Sequence, residues 1–135
     1  MTRRRLVDTN LIVRYLVQDH ARHAQAAGAL FAACARRELE IVLLPEVLAE
    51  CVFVLESFYE HPRREIASAL ATLISSPGIA IERAEIHLDA LERYAKTKLH
   101  FVDSTLAATA SAGRIPVASF DHDFRSFPDV RVELE

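Results

Sequence analysis

The sequence predicts an α/β fold of three α/β/α layers, with a central parallel sheet of about five short strands. Three observations predict it. Short strand-like runs alternate with longer stretches of helical periodicity along all 135 residues. Strands such as LEIVLL, with β-branched residues and no room for a helix, are separated by helical patterns, which implies a parallel sheet covered on both faces. The length lies at the mode for one domain, and no repeat, linker or low-complexity tract interrupts it, so residues 1–135 read as a single domain.

The elements follow in order. Arg4–Asp8 (RRLVD) is a short strand ending on a carboxylate, Leu11–Val17 a short helix, and His20–Arg37 an Ala-rich helix. Leu39–Leu44 is a strand, too short and β-branched for a helix. Pro45 suits a first helical position, where its missing N–H costs nothing, and Glu46–Glu60 carries Leu48, Cys51, Val52 and Leu55 at helical spacing. Pro62 opens a helix with Ile66, Leu70 and Leu73 on one stripe, which Ser75-Ser76-Pro77-Gly78 stops. Ile79–Ile81 is a strand and Ala84–Lys98 a helix with Leu88, Leu91 and Tyr94 inward. Ser104–Ala112 is a helix of small residues with Gly113 as its stop, and Ile115–Ser119 and Val130–Leu134 are the closing strands. Crossovers between parallel strands are right-handed, and ligands collect outside the strands' carboxyl ends.

Composition excludes several classes. With 51% hydrophobic and 26% charged residues the chain is not disordered. Cys34 and Cys51 lie in apolar stretches and give no disulfide framework, which fits buried thiols in a reducing compartment. The longest charge-free stretch, Ile66–Ile81, is broken by Ser75, Ser76, Pro77 and Gly78 and falls short of the roughly 20 apolar residues of a membrane span. Arg3–Arg5 is basic enough to open a signal peptide, but Asp8 ends the apolar run that would follow. A cytoplasmic protein without a membrane segment is the expectation. A net charge of −3 argues against a surface that coats nucleic acid all over, while leaving room for a local basic patch.

Four acids stand where such sheets bind ligands. Asp8 ends the first strand (VDTN), Asp121 follows a later one (SFDHDF), Asp103 opens a helix (FVDSTLAA), and Glu50 lies in the helix after the second strand. Each has a plainer role open to it: Asp103 could cap its helix, Asp8 and Asp121 could be turn residues, and Glu50 could face solvent. Together they point elsewhere. Two carboxylates 4 Å apart repel by about 4 kcal/mol at an effective dielectric of 20, so a cluster of four holds protons or cations. Oxygen ligands suit Mg²⁺ or Mn²⁺, and the six histidines show no zinc-ligand spacing. Ions so held activate water and stabilise the oxygens of an in-line displacement at phosphorus, so the reaction class is phosphodiester hydrolysis. Arg14 and Arg125, close to acidic motifs, could reach a phosphate.

VDTN near the start, Glu50 after the second strand, VD before a small-residue helix and SFDHDF near the end resemble the PIN domain, and among PIN domains the VapC-type toxins of type II toxin–antitoxin pairs. The likeness runs from Leu6 to about Leu134. It implies that Asp8, Glu50, Asp103 and Asp121 are the catalytic acids and hold Mg²⁺ or Mn²⁺, with Asn10 and Ser119 orienting them and Asp123 as a further carboxylate or a cap of the last turn. Ser119 stands where the family usually has Thr, and Ser104 where Ala is common. The implied activity is endonucleolytic cleavage of RNA. The implied partners are a VapB-like antitoxin, whose C-terminal segment packs on the toxin, and a second copy of the chain in a homodimer.

Two further classes stay open on residues alone. An Asp-nucleophile phosphohydrolase wants an acid two residues after Asp8, where Asn10 stands. A receiver-like or non-catalytic binding module wants paired acids on the first loop and a late Lys, and only Lys96 and Lys98 exist. The apolar circumference of Glu46–Tyr59, with Leu11, Leu16, Leu30 and Phe31, could line a groove for a partner helix. Assigning four acids to one site leaves fifteen acids against sixteen basic residues, so the rest of the chain is formally +1.

Overall fold

Pro45 at the start of one helix, Gly78 at the end of a turn and Asp8 at the end of a strand mark the points where the backbone changes direction. The computed structural model describes residues 3–133. In chain order these form β1 (Arg3–Leu6), α1 (Thr9–Val17), α2 (Ala21–Ala35), β2 (Leu39–Val42), α3 (Pro45–Ser57), α4 (Arg63–Ile74), β3 (Ile79–Ala80), α5 (Ala84–Lys96), α6 (Phe101–Gly113), β4 (Val117–Ala118), a 3₁₀ turn (His122–Ser126) and β5 (Val132–Glu133). Leu134, the expected end of the last strand, lies outside the described residues. No helix among the described residues is long and apolar enough to cross a membrane. The chain divides into two compact units, Met1–Ala84 and Glu85–Glu135.

In the first unit β1, β2 and β3 form a parallel sheet in that order. Leu6 pairs with Val42, so Asp8 and Leu44, each two residues on, stand at the same level, and each is the N-cap of the following helix. Ile12, Leu48, Cys51, Leu55, Ile66 and Leu70 are fully buried and hold α1, α3 and α4. At roughly 1.5–3 kcal/mol for each large side chain, this burial is what makes short helices persist. Gly78 carries φ +80°, and a Cβ there would meet Cys34 Cβ at 2.8 Å and Cys34 O at 2.9 Å, so only glycine brings the chain back into β3.

In the second unit β4 and β5 pair in parallel, Val117 with Val132 and Ala118 with Glu133. Ala107, Ala110, Val117, Phe124 and Val130 form its core, with Phe127 and Val132 packed against them. Five strands are thus present, not as one hydrogen-bonded sheet but as three in one unit and two in the other, parallel within each. Arg93 ties this unit together. Its guanidinium bonds Asp89 within α5 and Asp129 before β5, and lies 4.8 Å from the Phe127 ring centre. Ser111 of α6 also donates to Asp129, at 2.8 Å.

Two local expectations need correction. The left-handed residue that ends α6 is Arg114 (φ 53°), one past Gly113, which remains helical. That helix begins earlier than expected, at Phe101 behind an N-cap at His100, so Asp103 lies inside the first turn.

Candidate active site

Asp8 stands where β1 hands over to α1. Its Oδ1 accepts the Leu11 N–H at 2.9 Å, satisfying one orphan donor of the helix start, while the second carboxylate oxygen stays uncommitted. Asn10 is exposed on the first turn of α1. Glu50 is exposed on α3, six residues past the cap at Leu44, or roughly 9 Å along the helix. The two acids act on one group. Burial, and then the charges of Glu50 and Asp8, push the Cys51 thiol up to about 12, with a hydrogen bond from Thr9 opposing. Cys51 is therefore a neutral packing residue.

In the second unit the half-buried Asp103 sits in the first turn of α6, where the helix dipole favours negative charge. The role of cap falls to His100, which makes no side-chain cap bond, so Asp103 has no capping task. Asp121 follows β4 and caps the 3₁₀ turn, its Oδ1 accepting the Asp123 N–H at 2.9 Å. Ser119 supports it, its Oγ accepting the Asp121 N–H at 2.9 Å. Asp123, the other candidate for that cap, instead lends its carbonyl to the Ser126 hydroxyl. A short link joins α6 to β4, which packs against it.

Ion pairs divide the acids into two groups. Among the described residues, ion pairs engage Asp19, Glu38, Glu40, Glu56, Asp89, Glu92, Asp129 and Glu133. None engages Asp8, Glu50, Asp103 or Asp121, and none engages Glu46, Glu60, Glu65, Glu82, Glu85 or Asp123. The free oxygens of the first four, two of them held in orientation by backbone N–H groups, are a hard donor set suited to Mg²⁺ or Mn²⁺. Within either unit, no group of three His, Cys, Asp or Glu among the described residues is gathered to hold a metal ion.

The arginines divide. Arg14 is mostly buried and bonds Asp19 at 3.0 Å, whereas Arg125 is exposed on the 3₁₀ turn. Asp19 also accepts from Tyr59 Oη at 2.9 Å, a partnership no local pattern announces because 40 residues separate them. The groove expected along α3 lies elsewhere: Leu16 and Phe31 line a cavity of about 830 Å³ whose far wall is α4, with Ser68, Ala69 and Thr72. Small residues on α4 leave that space open, while the α3 stripe is spent on the core.

Among solved structures the chain is similar to VapC20 of Mycobacterium tuberculosis, a toxin that cleaves the sarcin–ricin loop, at 27% identity over 93% of this chain and 98% of that one, with a TM-score of 0.43. No curated protein matches. The family model of the PIN domain matches residues 5–130, which takes in all four acids and every element from β1 to the last turn. The chain belongs to the PIN-domain family.

Proposed function

We propose that this protein is a Mg²⁺- or Mn²⁺-dependent endoribonuclease acting as one domain, the cytoplasmic toxin of a toxin–antitoxin pair. The observation that carries the reading is the set of four carboxylates, Asp8 and Asp121 just past strands, Asp103 in the first turn of α6 and Glu50 on α3, none of them engaged by an ion pair among the described residues. Membership of the PIN family supports it independently.

Asp8, Glu50, Asp103 and Asp121 would hold the metal. A bound divalent ion would supply an activated water and neutralise charge on the phosphate. The chain's own residues do the positioning. The Leu11 N–H fixes the Asp8 carboxylate, and Ser119 and the Asp123 N–H fix Asp121. Asn10 presents an uncharged donor and acceptor beside Asp8. Arg14 and Arg125 are assigned to the RNA backbone.

The buried, unpaired thiols of Cys34 and Cys51 accord with a reducing compartment. The groove against α4 has the size and apolar walls to take a helical segment of an antitoxin, and a homodimer is the expected assembly.

The test is cleavage of total RNA by the purified, antitoxin-free protein. Cutting is expected with Mg²⁺ or Mn²⁺ and not with EDTA. Asp8→Asn and Asp103→Asn are each expected to lose more than the 10- to 100-fold that outer-shell partners of a metal command, with unfolding unchanged. Absence of cutting under any divalent ion, or equal cutting by both variants, would leave a non-catalytic PIN module.

A further inference from the structure

Beside Asp8 the first unit has a second cavity, of about 240 Å³, with Asp8, Asn10, Arg14 and His23 as polar walls and Leu11 and Leu30 among the apolar ones. This is below the roughly 300–1,000 Å³ of small-molecule sites and suits one phosphodiester group with its waters. Arg14 dominates its electrostatics. The side chain is only 28% exposed, and Nη1 donates to Asp19 Oδ1. Nε is buried and has no hydrogen-bond partner among the described residues. A guanidinium carries five N–H donors in a planar fork, and Asp19 engages only one of its nitrogens.

The fork is also held in place. Tyr59, just beyond α3, donates its hydroxyl to Asp19 Oδ2, and Asp19 then uses its other oxygen on Arg14. A residue that served only as a surface charge would not need a buttress from a segment 40 residues away. At the opposite wall the His23 ring stacks on His20 at 3.8 Å, and its backbone N–H bonds His20 Nδ1, so that side is fixed as well.

We propose that this cavity is a subsite for a backbone phosphate of the RNA strand, contacted by Arg14, with Asp19 and Tyr59 as positioning residues; it rests on the ribonuclease reading above. The planar fork matches a phosphate through two parallel N–H···O bonds, which a lysine cannot reproduce. Asp8 and Asn10 line this cavity, and the apolar groove that fits a peptide helix is lined by other residues, on α1, α2 and α4. RNA is thus the occupant the geometry favours over an acidic peptide. Asp8 shares the cavity and repels an anion, which directs the phosphate to the Arg14 and His23 side.

The experiment is fluorescence anisotropy with a short single-stranded RNA in EDTA, where cleavage does not intervene, at several salt concentrations. Arg14→Ala and Arg14→Gln are expected to bind about tenfold more weakly and to flatten the slope of log K against log salt by about 0.7. Arg14→Lys keeps the slope and loses part of the affinity. Tyr59→Phe keeps the slope as well, because the charge remains, but weakens binding at unchanged Tm, which a purely structural hydroxyl would not do. Unchanged binding in both Arg14→Ala and Arg14→Gln overturns the subsite, as does failure of the wild type to bind RNA, or competition by an acidic peptide with no effect of RNA. The two readings fail separately. A wild type that binds through Arg14 yet cuts nothing with Mn²⁺ refutes the nuclease alone, and one that cuts while Arg14→Ala binds normally refutes the subsite alone.

Discussion

Asp8 performs two tasks with one carboxylate, and isosteric substitution separates them. As an N-cap it needs only an oxygen for the Leu11 N–H, which an asparagine supplies equally well. As a metal ligand it needs the charge. Asp8→Asn is therefore expected to unfold in urea within about 0.5 kcal/mol of the wild type, whereas Asp8→Ala is destabilised by about 1 kcal/mol. Both are expected to be inactive, so activity and stability part company only in the asparagine variant. Gly78 is a sharper case, because the constraint is backbone rather than charge. At φ +80° an L-residue is strained by about 1–2 kcal/mol, and the added Cβ presses on backbone and Cβ atoms of Cys34 that cannot swing aside. Gly78→Ala is expected to lose about 2–3 kcal/mol in urea unfolding, with an unchanged m-value.

Elements were legible where chemistry is local and obscure where it is not. The start of α3 at Pro45 and the end of α4 before the Ser-Ser-Pro-Gly turn both follow from residue types that permit one backbone course. The start of α6 did not: Asp103 is a better cap than His100 by preference, yet Phe101 is buried in the second unit and draws the helix three residues further back. Tertiary burial overrode the local signal there. The same unit depends on Asp129, which no pattern singles out. Arg93, and then the Ser111 hydroxyl, hold its carboxyl down at about 2, below the ordinary 3.8. A depressed carboxylate contributes stability that is complete above 3.8 and lost as the pH falls toward 2. Because the Asp129 side chain is 48% exposed, water screens the gain to about 1 kcal/mol or less. Asp129→Asn is expected to remove that increment at pH 7 and to flatten the acid limb of stability between pH 4 and 2, measured by urea unfolding across that range.

At the scale of the whole molecule, the net charge of −3 conceals two populations of acids. Those paired with Arg or Lys contribute modestly and are spread over both units. Asp8, Glu50, Asp103 and Asp121 have no ion pair among the described residues; the first, third and fourth were legible because each lies in a short motif beside a strand end or helix start, and Glu50 because it interrupts an apolar helix. Arg14's buttress was not legible, since Asp19 and Tyr59 meet only after α1, α2 and α3 have folded. If the four acids share one metal, they repel in its absence, and removing any one charge relaxes that repulsion. In metal-free buffer, Asp8→Asn, Glu50→Gln, Asp103→Asn and Asp121→Asn are then expected to melt at or slightly above the wild-type Tm. With Mn²⁺ at a hundred times its Kd, the wild type gains about 2.7 kcal/mol, or roughly 10 °C for a chain of this size, and the variants gain little. The order of stability thus reverses on adding metal. Glu92→Gln, which removes an acid already paired with Lys96, follows the wild type in both buffers. Thermal unfolding at constant ionic strength measures all of this. An Mn²⁺ shift as large in the four variants as in the wild type would place the metal elsewhere, because a ligand stabilises only through the groups that hold it.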